Sequence, residues 1–202
     1  MEYLFGLLSY LIGSINFAYV VSYFKKTDIS QLGSGNPGTS NVMRNFGKKF
    51  AVIVLLGDVL KGLTPVIFLS TSSNAIVYGT LAIIGHIYPI YYKFKGGKGV
   101  ATFFGVYIAL NFQNSIEGYL FENVLFQNIN IFLLIFLYFI LFKTTRVSAI
   151  ASLSTVFVSG IILFLQSTSS IDKLLLLIVV LLIFFKHKEN IKRLLQGKEN
   201  KF

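Results

Sequence analysis

Residues 3–24 read YLFGLLSYLIGSINFAYVVSYF, a run with no Asp, Glu, Lys or Arg. At about 1.5 Å per residue, a helix of that length crosses a hydrocarbon core of roughly 30 Å. No basic segment precedes it, and no small-residue cleavage site leads from it into a polar domain. It therefore reads as a spanning helix and not as a secretory leader. The rest of the chain repeats the pattern. Residues 62–92 carry no Asp, Glu, Lys or Arg, and the polar break Ser70-Thr-Ser-Ser-Asn74 divides this region into helices at 50–69 and 75–91. Further apolar runs at 99–116, 124–142, 147–165 and 174–185 follow, the last reaching full length if residues 170–173 join it. The expectation is an all-α integral membrane protein with seven transmembrane helices forming a single domain over residues 1–202.

Composition agrees with this reading. The chain is 54% hydrophobic and 13% charged, where a soluble domain carries about 25% charged residues. With a mean hydropathy of +0.72, disorder, fibrous repeats and an ordinary cytosolic enzyme are disfavoured. The absence of cysteine excludes disulfides, thiolate nucleophiles and Cys-ligated metals. The net charge of +10 points in a membrane protein to cytoplasmic loops and not to nucleic acid.

The basic residues also orient the chain. Segments 25–49, 93–98 and 143–146 and the tail from residue 186 hold 16 of the 18 Lys and Arg. Seven spans place all four segments on one side, opposite Glu117, Glu122, Asp172 and Lys173. The excess of basic residues predicts a cytoplasmic C-terminus and an external N-terminus.

The loops on the basic side have unusual compositions. The first contains Gly33-Ser-Gly-Asn-Pro-Gly-Thr-Ser-Asn-Val-Met-Arg44. Gly33, Gly35, Pro37 and Gly38 permit left-handed and tightly turned backbone, which can aim several N–H groups at one anion. Ser34, Asn36, Thr39, Ser40 and Asn41 offer neutral donors, and Arg44 can grip a phosphate bidentately. The second loop runs from Gly85-His-Ile-Tyr-Pro89 to Phe94-Lys-Gly-Gly-Lys-Gly-Val-Ala-Thr102. Its Gly96-Gly97-Lys98-Gly99 run opens directly into a helix, whose N-terminus favours an anion. It is not a Walker loop, since Tyr92 stands where the first Gly would fall. Lys98 is the expected phosphate ligand, whereas Lys93 and Lys95 suit lipid headgroups.

The tail holds a third cluster. On a helical continuation His187, Asn190 and Arg193 recur at steps of three and share one face. A histidine there can position or deprotonate a hydroxyl. His86, in an apolar helix end, reads as a buried structural residue. Asp58 and Lys61, at i and i+3 within a span, read as a mutual ion pair. Ser148 and Ser152 can face a polar pocket or allow close helix packing.

Taken in order, segments 33–44, 85–102 and 187–197 resemble the three signature motifs of the PlsY family, bacterial acyl-phosphate:glycerol-3-phosphate acyltransferases. The resemblance covers the whole chain and implies transfer of a fatty acyl group from acyl phosphate to the 1-hydroxyl of sn-glycerol 3-phosphate. It places Ser34, Arg44, Lys98, His187 and Asn190 on the family's substrate-binding and catalytic positions. By the same resemblance, Asn36, Gly38, Gly96 and Gly97 shape its phosphate loops and Ser148 contributes to substrate binding. Gly35 and Arg193 complete the expected substrate-binding set, with Lys98, His187 and Asn190 catalytic. No metal or other cofactor, no nucleic acid and no obligate protein partner is implied. The expected partners are the two substrates and membrane lipid, at the cytoplasmic face of a bacterial inner membrane. The sequence departs from the family pattern at Thr39-Ser40, where Ala-Thr is usual, and at Lys188, where Arg often stands. The general base is either His187 or a substrate phosphate oxygen.

A transporter for a phosphorylated solute also uses Gly-rich breaks, but it places them at mid-membrane. A CoA-dependent acyltransferase with a His-x4-Asp motif is excluded, since Tyr91 and Lys192 follow the two histidines at that spacing.

Overall fold

The computed structural model describes residues 1–70, 74–113, 124–167 and 169–202. Among these residues the regular elements are all helical. The chain divides into two compact units, Met1–Ala109 and Leu110–Phe202.

In the first unit, the run 3–24 is not the single helix its sequence suggests. It forms α1 (Glu2–Ser14) and α2 (Phe17–Phe24), bent by 44°. Ile15 leaves the helical ladder with φ −66° and ψ 110°. Asn16 then caps α2, its side-chain oxygen accepting a 3.1 Å hydrogen bond from the Tyr19 amide. The Ile15 carbonyl accepts a 2.6 Å bond from Lys61 Nζ. A helix can break at membrane depth only where other protein groups re-satisfy the backbone, and Lys61 does this here.

Next come α3 (Thr39–Phe46), α4 (Lys48–Phe68) and α5 (Ala75–Ile87), the last continued by a 3-10 turn at Ile90–Tyr92. α1 lies against α5 at glycine contacts on both helices. A Cβ at Gly13 would fall 2.1 Å from the Ala82 carbonyl oxygen, and one at Gly85 2.3 Å from that of Tyr10. α4 meets α6 (Val100–Gln113) in the same manner, through Gly62 and Gly105. Lipid offers helices no hydrophobic reason to associate, so close backbone approach of this kind supplies the packing. The exposure pattern of α4 fits the same environment. Asp58 and Lys61 are 1% and 3% exposed, while Leu56 and Leu60 are 57% and 56% exposed. Charge inside and leucine outside is the reverse of a helix in water.

The second unit contains α7 (Val124–Thr145), α8 (Ser148–Gln166), α9 (Ser170–Lys186) and α10 (Lys188–Leu195). α8 packs against both α7 and α9. Buried Asn130 donates to Asn111 Oδ1 at 3.3 Å, and Tyr138 is hydrogen-bonded to Ser152 across α7 and α8. Ser152 therefore acts in helix packing. Ser169 caps α9 by accepting from the Asp172 amide at 3.3 Å. Asp172, in that first turn, is well placed against the helix dipole.

Among the described residues three helices are long and apolar enough to cross a membrane: α4, α5 with its continuation to Tyr92, and α8. Counted as one span, the bent α1–α2 pair is a fourth candidate. α6 and α7 contribute shorter apolar stretches, Val100–Phe112 and Ile129–Thr145, and α9 takes the longer of its two expected extents. Residues 71–73 of the expected turn, the expected end of the fourth helix, and Glu117 and Glu122 lie outside the described residues. At about 12 Å each, α3 and α10 are too short to span a bilayer.

Candidate active site

The Gly33–Arg44 segment folds as a turn leading into a helix. Asp28 caps a 3-10 turn at Ile29–Gln31 by accepting from the Ser30 amide at 2.9 Å. Gly33 and Gly35 then take left-handed conformations, with φ of +54° and +68°, which a side chain would oppose. Asn41 holds the turn from within. Its Nδ2 donates to the carbonyls of Ile29 at 3.2 Å and Leu32 at 2.9 Å. Its Oδ1 accepts from the Ser34 amide and from Asn45 Nδ2, each at 3.1 Å. Asn41, expected as a donor for ligand, is thus an internal brace that sets Ser34. Ser34 is exposed, and Gly35, Asn36, Gly38 and Arg44 are half-buried. Gly38 begins α3 without a side-chain cap, and an uncapped first turn favours an anion. Arg44 lies on α3, so the loop, the helix start and the guanidinium belong to one short element. Asn16 Nδ2 donates to the Pro37 carbonyl at 3.3 Å, tying this element to the α1–α2 break.

The second loop is formed by a reversal after α5. Lys93 and Phe94 both adopt left-handed conformations, φ 53° and 58°, and the Phe94 amide donates back to the Pro89 carbonyl at 2.9 Å. The chain then passes over His86. The Gly97 amide donates to the His86 carbonyl at 3.2 Å. A Cβ at Gly96 would meet that same carbonyl oxygen at 2.1 Å, and one at Gly97 would meet His86 Nε2 at 2.2 Å. The pair of glycines is required because His86 forms the floor beneath it. Lys98 follows, half-buried, and Gly99 (φ +90°) delivers the chain into α6. Lys93 and Lys95 are exposed. Tyr19 of α2 stacks on Tyr92 with ring centroids 4.5 Å apart, which joins the two loop regions of this unit.

In the second unit His187 is the hinge between α9 and α10, 3% exposed, with Nδ1 2.8 Å from the Ile183 carbonyl oxygen. A carbonyl only accepts, so Nδ1 carries the proton, and Nε2 is the acceptor nitrogen of the neutral ring. Asn190 is 8% exposed and donates to Glu199 Oε1 at 2.7 Å. Arg193 Nε donates to Glu199 Oε2 at 2.8 Å. The expected face of His187, Asn190 and Arg193 therefore forms, and Arg193 on it is ion-paired with a carboxylate that the sequence reading missed. The available signal was Gly197. Its φ of +66° and the Lys198 amide donating to the Arg193 carbonyl at 2.8 Å close a Schellman turn, which folds Glu199 back onto α10. Ser148 is half-buried in the first turn of α8.

The fold and these turns define a multi-pass helical membrane protein with Gly-rich loops that open into helix N-termini beside Arg44 and Lys98. The family model for glycerol-3-phosphate acyltransferase matches residues 3–197. Glycerol-3-phosphate acyltransferase 2 of Bacillus anthracis is 40% identical, covering 100% of this chain and 99% of that protein. The glycerol-3-phosphate acyltransferase of Ruthia magnifica is 36% identical over 96% and 93%. The crystal structure of PlsY (YgiH), an integral membrane glycerol 3-phosphate acyltransferase, in its glycerol 3-phosphate form aligns with a TM-score of 0.84. The two are 30% identical, and the alignment covers 100% of this chain and 95% of PlsY. The lysophosphatidic acid form of PlsY aligns at 0.81. The chain belongs to the glycerol-3-phosphate acyltransferase family and is an acyltransferase.

Proposed function

We propose that this protein transfers a fatty acyl group from acyl phosphate to the 1-hydroxyl of sn-glycerol 3-phosphate. The products are lysophosphatidic acid and inorganic phosphate. The observation that carries this reading is the pair of glycine-shaped turns, each opening into a helix start and each followed or preceded by one cation, Arg44 or Lys98. Both proposed substrates bear phosphate, and PlsY of the same family is known in a glycerol 3-phosphate and a lysophosphatidic acid form.

In the proposed reaction the hydroxyl oxygen attacks the acyl carbonyl carbon and forms the ester bond. The bond from that carbon to the phosphate oxygen breaks, and phosphate leaves with the electron pair. Acyl phosphate is already activated, so no covalent acyl-enzyme is needed. The protein contributes orientation and charge stabilisation. Ser34, Asn36, Arg44 and Lys98 bind phosphate, and Gly35, Gly38, Gly96 and Gly97 shape the turns that present them. Lys98 also stabilises the charge that develops on the leaving phosphate. His187 Nε2 accepts a hydrogen bond from the glycerol hydroxyl and positions it, with Asn190 beside it. The departing phosphate takes the proton. Arg193 keeps Asn190 in place through Glu199, and Ser148 assists substrate binding.

The same proposal has seven spans over residues 1–202: the broken α1–α2 pair, then α4, α5, α6, α7, α8 and α9. The N-terminus is external, and the motif segments are cytoplasmic, in a bacterial inner membrane. No cofactor takes part. Purified protein given synthetic acyl phosphate and sn-glycerol 3-phosphate tests the chemistry. Tandem mass spectrometry showing 1-acyl lysophosphatidic acid supports the reading, and absence of that product contradicts it.

A further inference from the structure

Asp58 and Lys61 have no part in the chemistry proposed above, yet they are among the most deeply buried charges described. Lys61 Nζ is 2.9 Å from Asp58 Oδ1, with the two side chains each 2% exposed. A buried ion pair gives little or no net stability over an apolar pair of similar volume, because desolvating both charges offsets their attraction. Its placement here has consequences beyond α4. Lys61 also donates to the Ile15 carbonyl at 2.6 Å, which is the group released by the break between α1 and α2. From that break Asn16 holds the Pro37 carbonyl of the first loop. On the other side, Asp58 Oδ1 lies 3.6 Å from His86 Nδ1. His86 is the floor on which Gly96 and Gly97 rest, immediately before Lys98. One buried pair thus connects by short polar steps to both glycine loops of this unit.

We propose that Asp58, Lys61 and His86 form a charged brace that fixes the two loops at the separation glycerol 3-phosphate binding requires. They are positioning residues and touch no substrate. This rests on the reading of those loops as phosphate sites. An apolar core at this depth would hold the helices together equally well. It would not offer the Ile15 carbonyl a donor or set a carboxylate oxygen beside the His86 ring, and both loops would then sample a wider range of positions.

The test uses the full-length protein in lipid vesicles. The neutral double variant Asp58→Asn with Lys61→Met keeps side-chain volume and leaves no lone buried charge, so the helical fold is expected to survive. Because the chain has no cysteine, nitroxide labels can be attached through Gln31→Cys and Lys95→Cys, at exposed positions of the two loops, in wild-type and double-variant backgrounds. The brace predicts a broadened label-to-label distance distribution by pulsed EPR. It also predicts a KM for glycerol 3-phosphate raised about tenfold, the kinetic equivalent of roughly 1.4 kcal/mol, with kcat lowered less. His86→Gln, which loses the ring beneath Gly97, is expected to give the same signature. Unchanged distances or an unchanged KM in the double variant overturn the brace. Failure of the double variant to fold also overturns it, since the pair would then serve the fold and not the loops. A wild-type protein without glycerol 3-phosphate-dependent turnover instead defeats the functional reading beneath it, so the two failures are distinct.

Discussion

Asn190 and Glu199 are nine residues apart and joined by a 2.7 Å hydrogen bond, with the left-handed Gly197 turning the chain between them. The carboxylate accepts from Arg193 with its second oxygen, so one acidic side chain fixes two members of the α10 face. Removing it leaves Asn190 without its anchor in a nearly closed environment. Charge-assisted hydrogen bonds contribute about 1.5–3 kcal/mol each. Glu199→Ala is therefore expected to lower kcat/KM by roughly 10- to 100-fold, while Glu199→Gln, which can still accept from Asn190, loses less. Steady-state kinetics on both variants check this. Equal losses in the two would show that the Asn190 contact contributes nothing.

Arg44 and Lys98 are each the cation of a glycine-shaped turn. Arg44→Ala and Lys98→Ala are both expected to reduce activity nearly to background without loss of helicity. In the proposed site each would delete a phosphate contact of about 1.5–3 kcal/mol, and more where charge concentrates in the transition state. Wild-type turnover with unchanged Michaelis constants in either variant reduces that residue to a marker of topology.

Gly97 has no room for a methyl group, since a Cβ would lie 2.2 Å from His86 Nε2. Overpacking of this kind costs about 1–3 kcal/mol, and here it displaces the segment that carries Lys98. Gly97→Ala is expected to raise the KM for glycerol 3-phosphate by tenfold or more, the equivalent of about 1.4 kcal/mol, in a protein that still folds. Circular dichroism combined with kinetics separates the two effects.

His187 donates from Nδ1 to the Ile183 carbonyl, an arrangement that suits Nε2 for accepting a hydrogen bond. If it positions the acceptor hydroxyl, His187→Gln raises the KM for glycerol 3-phosphate and keeps the wild-type pH profile. A general base would behave differently. The wild-type rate would fall at acidic pH as the imidazole protonates, and that limb would vanish in the variant. The pH dependence of kcat in both proteins decides between these, and positioning is the expected result.

The topology is open to cysteine labelling on this Cys-free chain. Asn36→Cys and Lys95→Cys are expected to resist membrane-impermeant reagents added outside intact cells and to react after lysis. Labelling from outside would overturn the orientation assigned to both loops.

Much of this architecture is legible from apolar run lengths alone, because lipid requires about 20 apolar residues per span. The runs at 50–69 and 147–165 reappear within two residues at each end as α4 and α8. The Asp58–Lys61 pair is equally legible, since charges at i and i+3 inside a span have few other partners. What sequence alone could not show depends on distant partners. The break after Ser14 occurs in an unbroken apolar run, and the donor that relieves it lies 46 residues downstream. α3 is hidden in a segment whose glycines read as a turn, and Asn41, which organises that turn, looks like any surface donor until its four hydrogen bonds are seen. Glu199 was missed for a different reason. Gly197 signals a helix C-cap, but which later residue returns to α10 depends on the turn that the cap makes.

The central claim is that acyl phosphate is the donor and that the acceptor hydroxyl of glycerol 3-phosphate captures its acyl group directly. Phosphate release from synthetic acyl phosphate by the purified protein, followed with and without sn-glycerol 3-phosphate, tests it most directly. The account predicts release that requires glycerol 3-phosphate and matches lysophosphatidic acid mole for mole. Release at the same rate without the acceptor, or none with it present, would contradict the account.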